Sequence, residues 1–238
     1  MKKKTNCLPI PLYHGTSTIF VDGIIKFGLG GHNQLVEWKV FELAAILHPL
    51  VRDILSAESD WMVKAQSFGW MVEQRTGHVN FQHGDTYLSP NSGTAVRYAA
   101  NKKYGSEFLT YILDFLQELL RRNIPGIADD LYRKYPQIFN LLDVSCAPLL
   151  VKVDNATIDE LVAESGDDAS ETFNHILTTL REQPDMAMVL LQQSNFRLKK
   201  TIPISRLTIS LMNVTNWHQA FPEYTLHKLN IHGNRGKA

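Results

Sequence analysis

Cysteine is nearly absent from this sequence. Its 238 residues hold two, Cys7 and Cys146, which excludes a disulfide framework and a cysteine-based zinc site, so no metal is expected. There is no run of about 18 apolar residues, and no membrane span is expected. The basic start, Lys2-Lys3-Lys4, reads as a solvated tail or as a basic arm that helps hold a phosphate backbone. No apolar stretch long enough for a secretory signal follows it, which makes the cytoplasm the expected location. An excess of one charge is also missing: 24 Lys+Arg face 24 Asp+Glu. Nothing global therefore steers the chain toward nucleic acid, and any such contact has to come from local basic patches; Arg121, Arg122, Arg133 and Lys134 make one local positive group, of the kind that is usually a solvated face. What is present is 44% hydrophobic residues, enough for a sizeable core, in a length that suits one domain carrying insertions.

The most informative stretch is Leu12 to Leu29, LYHGTSTIFVDGIIKFGL. Leu12, Tyr13 and His14 end an apolar run and read as a short strand. Gly15 then breaks the pattern, and Thr16-Ser17-Thr18 supplies hydroxyls that can cap a helix. Ile19, Phe20, Gly23, Ile24 and Phe27 recur at helical spacing, with Gly28 as the stop. A histidine at a strand end, followed by a glycine open to close approach, suits a polar grip on a small molecule, or simply a structural histidine and a turn.

A second stretch, Thr86 to Ala100, reads as a strand (Thr86-Tyr87-Leu88), a turn cluster from Ser89 to Gly93, and a helix opening at Thr94. Tyr87 and Tyr98 lie eleven residues apart and fit either a stacking clamp for a flat ring or a core pair. Val36 to Leu55, Trp61 to Val72 and Glu107 to Leu142 read as helical, the last with a break at Pro125-Gly126. The Trp, Phe and Met stripe near Trp61 and Trp70 reads as core. Leu149 to Val153 is a strand, Asp154 to Ser165 a loop with a short acidic helix, and Ser170 to Arg181 a helix. Arg206 to Leu211 is a strand, Trp217 to Leu229 a tail strand or loop, and Gly233 to Ala238 a disordered end.

Taken together, HGT with Gly23-Ile24 and Gly28-Leu29, followed by the Tyr87–Tyr98 pair, resembles the ADP-ribosyltransferase fold. It is most similar to the His-Tyr-Glu branch, which includes poly(ADP-ribose) polymerases, diphtheria-type toxins and DNA- and RNA-modifying toxins. The resemblance implies a single α+β domain over residues 1–238. Its split antiparallel β-sheet would surround an NAD cleft, with helical insertions near 32–75, 101–145 and 156–190. It implies mono-ADP-ribosyl transfer from NAD, as substrate, to a macromolecular acceptor, RNA or DNA ahead of protein. A toxin or phage-defence effector, with an antitoxin protein as a possible partner, is the expected setting.

Residue by residue, the resemblance puts His14 on ribose and the Gly15 backbone on the nicotinamide carboxamide, with Thr16 beside them. Tyr87 and Tyr98 take the nicotinamide ring. Where relatives carry a hydroxyl three residues before the second Tyr, this chain has Ala95, with Thr94 next to it. The third motif, a strand leading to Ile202-Pro203, departs further. Asn195 stands where relatives have the catalytic Glu, and Gln193 is expected two residues earlier on the same strand face. His14, Tyr87 and Asn195 are thus the catalytic candidates. An amide can hydrogen-bond but carries no charge and is no base, so either the chemistry is slower and substrate-assisted, or another acid serves, Glu182 or Asp185 being nearest in sequence, or the chain is an inactive NAD-binding or interaction module.

Overall fold

A computed structural model describes residues 7–75, 82–124, 127–216 and 222–230. The Lys2-Lys3-Lys4 tail, the Pro125-Gly126 break and the 233–238 end lie outside them. In chain order the elements are β1 (Leu12–Ser17), α1 (Val21–Phe27), α2 (Gln34–Glu37), α3 (Val40–Ile54), α4 (Ser59–Val72), β2 (Tyr87–Leu88), α5 (Ser92–Asn101), α6 (Glu107–Arg121), α7 (Ile127–Lys134), α8 (Pro136–Asn140), β3 (Pro148–Val153), β4 (Leu161–Ala163), α9 (Ala169–Glu182), α10 (Ala187–Gln193), β5 (Phe196–Leu198), β6 (Leu207–Asn216) and β7 (Glu223–Lys228). They form a mixed α+β chain whose contacts divide it into two units. Residues 1–32, 85–105 and 147–238 make the first, and residues 33–84 and 106–146 the second.

The first unit holds both sheets. One runs β1-β3-β6-β7 and the other β2-β5-β4, with every pairing antiparallel. Strand alternation sends Leu12, Leu149, Val151, Val153 and Ile209 into one core with Leu88, Leu161 and Phe196 of the smaller sheet and Phe173 and Ile176 of α9. On the other face of the larger sheet, α5 lays Ala95, Val96 and Ala99 against Leu150, Met212 and Tyr13. That helix lies very close to β1. A Cβ on Gly15 would stand 2.0 Å from the Ala95 carbonyl oxygen and 3.0 Å from the Ala99 nitrogen.

Three local expectations are corrected in this unit. Gly15 does not end the first strand; β1 runs through it to Ser17, because its missing side chain is what admits α5. Ser17 is buried and makes no cap bond, and a 3₁₀ turn, Thr18–Phe20, precedes α1. Between Asp154 and Ser165 the short acidic segment is only a 3₁₀ turn, Ile158–Glu160, and the chain then enters β4. The turn is fixed by reciprocal capping, with the Thr157 N–H donating to Glu160 Oε2 (2.8 Å) while Arg206 holds the same carboxylate.

The second unit is helical. Leu43, Leu47 and Val51 of α3 are buried, as are Phe68 and Met71 of α4 and Phe108, Ile112 and Phe115 of α6. Ring centroids lie 5.0 Å apart for Phe68–Phe115 and 5.5 Å for Trp61–Phe115; of the expected stripe Phe68 and Met71 are core, whereas Trp61 and Trp70 are half-buried and Met62 is exposed. Its cations are not a free basic patch. Arg122 bridges Glu118 (2.8 Å) and Glu58 (2.6 Å), Arg121 also holds Glu118 (2.7 Å), Lys134 pairs with Glu42, and Arg133 with Asp130. The Arg121 guanidinium, followed by that of Arg122, holds the Glu118 carboxyl at about 2.

Two outcomes follow from this packing. Gly15→Ala forces β1 and α5 apart and should cost about 1–3 kcal/mol in chemical denaturation. Glu118→Gln should melt about 2–4 °C below the parent at pH 7. Because the folded-state carboxyl titrates below its ordinary value, the stabilisation is complete above the ordinary carboxylate range. It is lost as pH falls toward about 2. The gap between the two melting curves should therefore close on acidification.

Candidate functional site

The three stretches singled out in the sequence meet in the first unit. The end of the first and the end of the third are bonded reciprocally: the Leu29 N–H donates to Ile202 O (2.9 Å), and the Ile202 N–H to Leu29 O (3.0 Å). The second joins the third through β2–β5, where Tyr87 faces Arg197 and Leu88 faces Phe196. It joins the first by the packing of α5 on β1 and, through the backbone, at one residue pair, Tyr13–Ser89, which exchanges both backbone bonds at 2.8 Å.

Beyond that pair the two sheets part. Tyr13 spends its N–H and C=O on Ser89, while the Thr18 N–H bonds Ala147 O (2.9 Å) on the β3 side. Backbone groups of an antiparallel strand alternate between edges. Gly15 thus directs its N–H and C=O to the same edge as Tyr13, where in regular pairing it would meet Tyr87. Among the described residues no backbone partner meets it there. The His14 ring instead bonds Tyr87 O through Nδ1 (2.8 Å).

This bond sets the state of the imidazole. A carbonyl only accepts, so Nδ1 carries the proton and Nε2 of the neutral ring is left as an acceptor. Burial pushes the His14 pKa down, with the bond to the Tyr87 carbonyl acting the other way. A neutral ring accepting through Nε2 suits a hydroxyl donor and is no charge stabiliser.

Other expected residues fall as follows. Tyr87 is half-buried on β2, and Tyr98 stands 37% exposed on α5. Helix α5 is capped by Asn91, whose side chain accepts from the Thr94 N–H (3.3 Å). The Thr94 hydroxyl is buried and has no hydrogen-bond partner among the described residues. Thr16 is 2% exposed and turns its hydroxyl to Gly105 O (3.4 Å), so it faces protein. Gln193 is not on a strand: it ends α10 and is exposed. Asn195 immediately precedes β5 and is half-buried.

The acids nearest Asn195 in sequence are not beside it. Glu182 ends α9 and pairs with Arg181, and Asp185 sits exposed in the Pro184–Met186 turn. The carboxylate that meets Asn195 is Glu164, whose Oε2 accepts from Asn195 Nδ2 at 2.9 Å. Nothing local in the sequence points to it, because the pairing of β4 with β5 that brings it there spans some thirty residues. Arg197, tied to Asp85 at 3.0 Å, sits cross-strand from Tyr87 and was likewise unmarked.

Among the described residues no group of three or more His, Cys, Asp and Glu side chains is arranged to hold a metal, and no helix is long and apolar enough to cross a membrane. No protein-family model, curated protein or solved structure matches the chain.

His14 should titrate by NMR with a midpoint below the ordinary 6.5 or so. Its neutral form is the one the fold accommodates, so stability should fall only as pH drops below that ordinary value, where the unfolded chain takes up the proton first. A midpoint above 6.5 would refute the buried, Nδ1-protonated ring.

Proposed function

We propose that the chain is a mono-ADP-ribosyltransferase that takes NAD as substrate and moves ADP-ribose to a macromolecular acceptor, nucleic acid ahead of protein. The observation that carries this reading is the parting of the two sheets after Tyr13–Ser89. It leaves Gly15 with an N–H and a C=O aimed at an unpaired edge, next to a His14 ring oriented by Tyr87. An adjacent donor and acceptor on one backbone residue match a primary carboxamide, which offers one of each. The His14 Nε2 acceptor matches a ribose hydroxyl. Tyr98, exposed on the helix that packs over Gly15, offers a face for a flat ring. NAD would supply an electrophilic anomeric carbon and a neutral leaving group. The protein's part is to orient the two ends of the nicotinamide riboside and to exclude water.

A second reading, an NAD-binding module without turnover, is favoured by one observation, the amide of Asn195 where a transferase of this branch would carry a carboxylate. Labelled NAD incubated with cell lysate separates the two. Label carried into polymer supports the enzyme, and its sensitivity to nuclease or to protease identifies the acceptor class. Saturable binding without transfer supports the module. In either case Tyr98→Ala should weaken NAD binding by about 1 kcal/mol, or roughly fivefold, in calorimetry. Unchanged affinity would remove Tyr98 from the site.

A further inference from the structure

Asn195 does not act alone. Its Nδ2 donates to Glu164 Oε2 (2.9 Å), and the Glu164 N–H returns a bond to Asn195 O (3.1 Å), extending the β4–β5 ladder by one pair beyond Ala163–Phe196. Side chains opposite one another in a ladder share a face. Counting from Tyr87–Arg197, the face that carries Glu164 and Asn195 also carries Tyr87 and Arg197, and through Ser89–Tyr13 it is the face of Gly15 on which α5 packs. Glu164 is half-buried and forms no ion pair among the described residues. The charged groups around it are otherwise engaged. Arg197 holds Asp85, Glu160 holds Arg206, Asp167 accepts from Ser165, and Asp168 caps α9.

We infer that Glu164 is the carboxylate of this site, held by Asn195 as its positioning residue, so that an amide–carboxylate pair does what a single strand glutamate does elsewhere. The inference rests on the transferase reading above. In the reaction, the bond between the anomeric carbon and the nicotinamide nitrogen breaks, and its electron pair leaves with neutral nicotinamide. A bond forms from the acceptor heteroatom to that carbon, and the proton of the acceptor passes to Glu164. The carboxylate offsets the positive charge developing on the ribose, while the Asn195 amide fixes one of its oxygens and leaves the other free to face the substrate.

The test compares the parent chain with Glu164→Gln, Asn195→Ala and the double variant, measuring NAD affinity by calorimetry and the rate of nicotinamide release. Glu164→Gln should keep NAD affinity within about threefold and lower nicotinamide release about a hundredfold. Asn195→Ala should keep NAD affinity and lose about tenfold in nicotinamide release, and that loss should vanish in the Glu164→Gln background, because the amide acts only through the carboxylate. A purely structural role would lower the melting temperature and cost the same in both backgrounds. Glu164→Gln releasing nicotinamide at the parental rate overturns the assignment of Glu164 while leaving the NAD reading intact. A parent chain that neither binds NAD nor releases nicotinamide overturns both. Should Glu164→Gln fail to fold, Glu164→Asp, which keeps the charge but draws it back by one methylene, should lower nicotinamide release at least about tenfold, and a parental rate overturns the assignment.

Discussion

The site hangs on one residue pair, Tyr13–Ser89. It is the only bridge the described residues make between the edges of the two sheets, and it both joins and divides them. With it, the smaller sheet is anchored to β1. One residue further along β1, the His14 ring occupies the Tyr87 carbonyl that backbone pairing would have used. A continuous sheet would have satisfied Gly15 and Tyr87 with each other and left no unpaired backbone group at Gly15. The parting is therefore a structural feature with a chemical consequence: it leaves a donor and an acceptor on a strand interior where neither normally survives unpaired.

Helix α5 supplies the other constraint. Its backbone approaches β1 so closely that only a residue without Cβ fits at position 15, and Ala95, Ala99 and Ala100 are buried along the contact. Gly15 thus answers to two demands on perpendicular axes. Its Cα faces the helix, and its peptide groups face the sheet edge. The glycine at position 15 is required by packing, since a side chain would drive β1 and α5 apart. Ala95 itself is buried in the same core with Leu150 and Met212, and its carbonyl oxygen lies in the contact with Gly15.

Most regular elements were legible because periodicity is local. The helices through Val51, Phe68, Phe115 and Phe173, and the strands through Tyr87 and Val151, lie where apolar spacing places them. What the sequence hid is non-local. Strand β4 is three residues long, too short for alternation to register, and it exists because β5 pairs with it. Glu164 reaches Asn195 only through that pairing. Period-two alternation puts Gln193, two residues before Asn195, on the same strand face, whereas α10 runs to Gln193 and β5 begins only at Phe196. Thr16 looked like a capping or ligand hydroxyl beside a turn, yet the strand continues and Gly105 closes over it, where φ of 65° and a 2.3 Å approach to the Ser17 nitrogen exclude a side chain.

Charge tells the same story at larger scale. The net charge of zero turned attention to the local cations of the α6–α8 region as contacts for a polyanion. Each of the four expected there is bound to a carboxylate, and Arg122 is bound to two. A guanidinium already held in a bidentate pair has little field left to release counterions from a phosphate backbone. Arg197 and the Glu164–Asn195 pair, by contrast, lie on neighbouring rows of one face of the smaller sheet, and Glu164 makes no ion pair among the described residues.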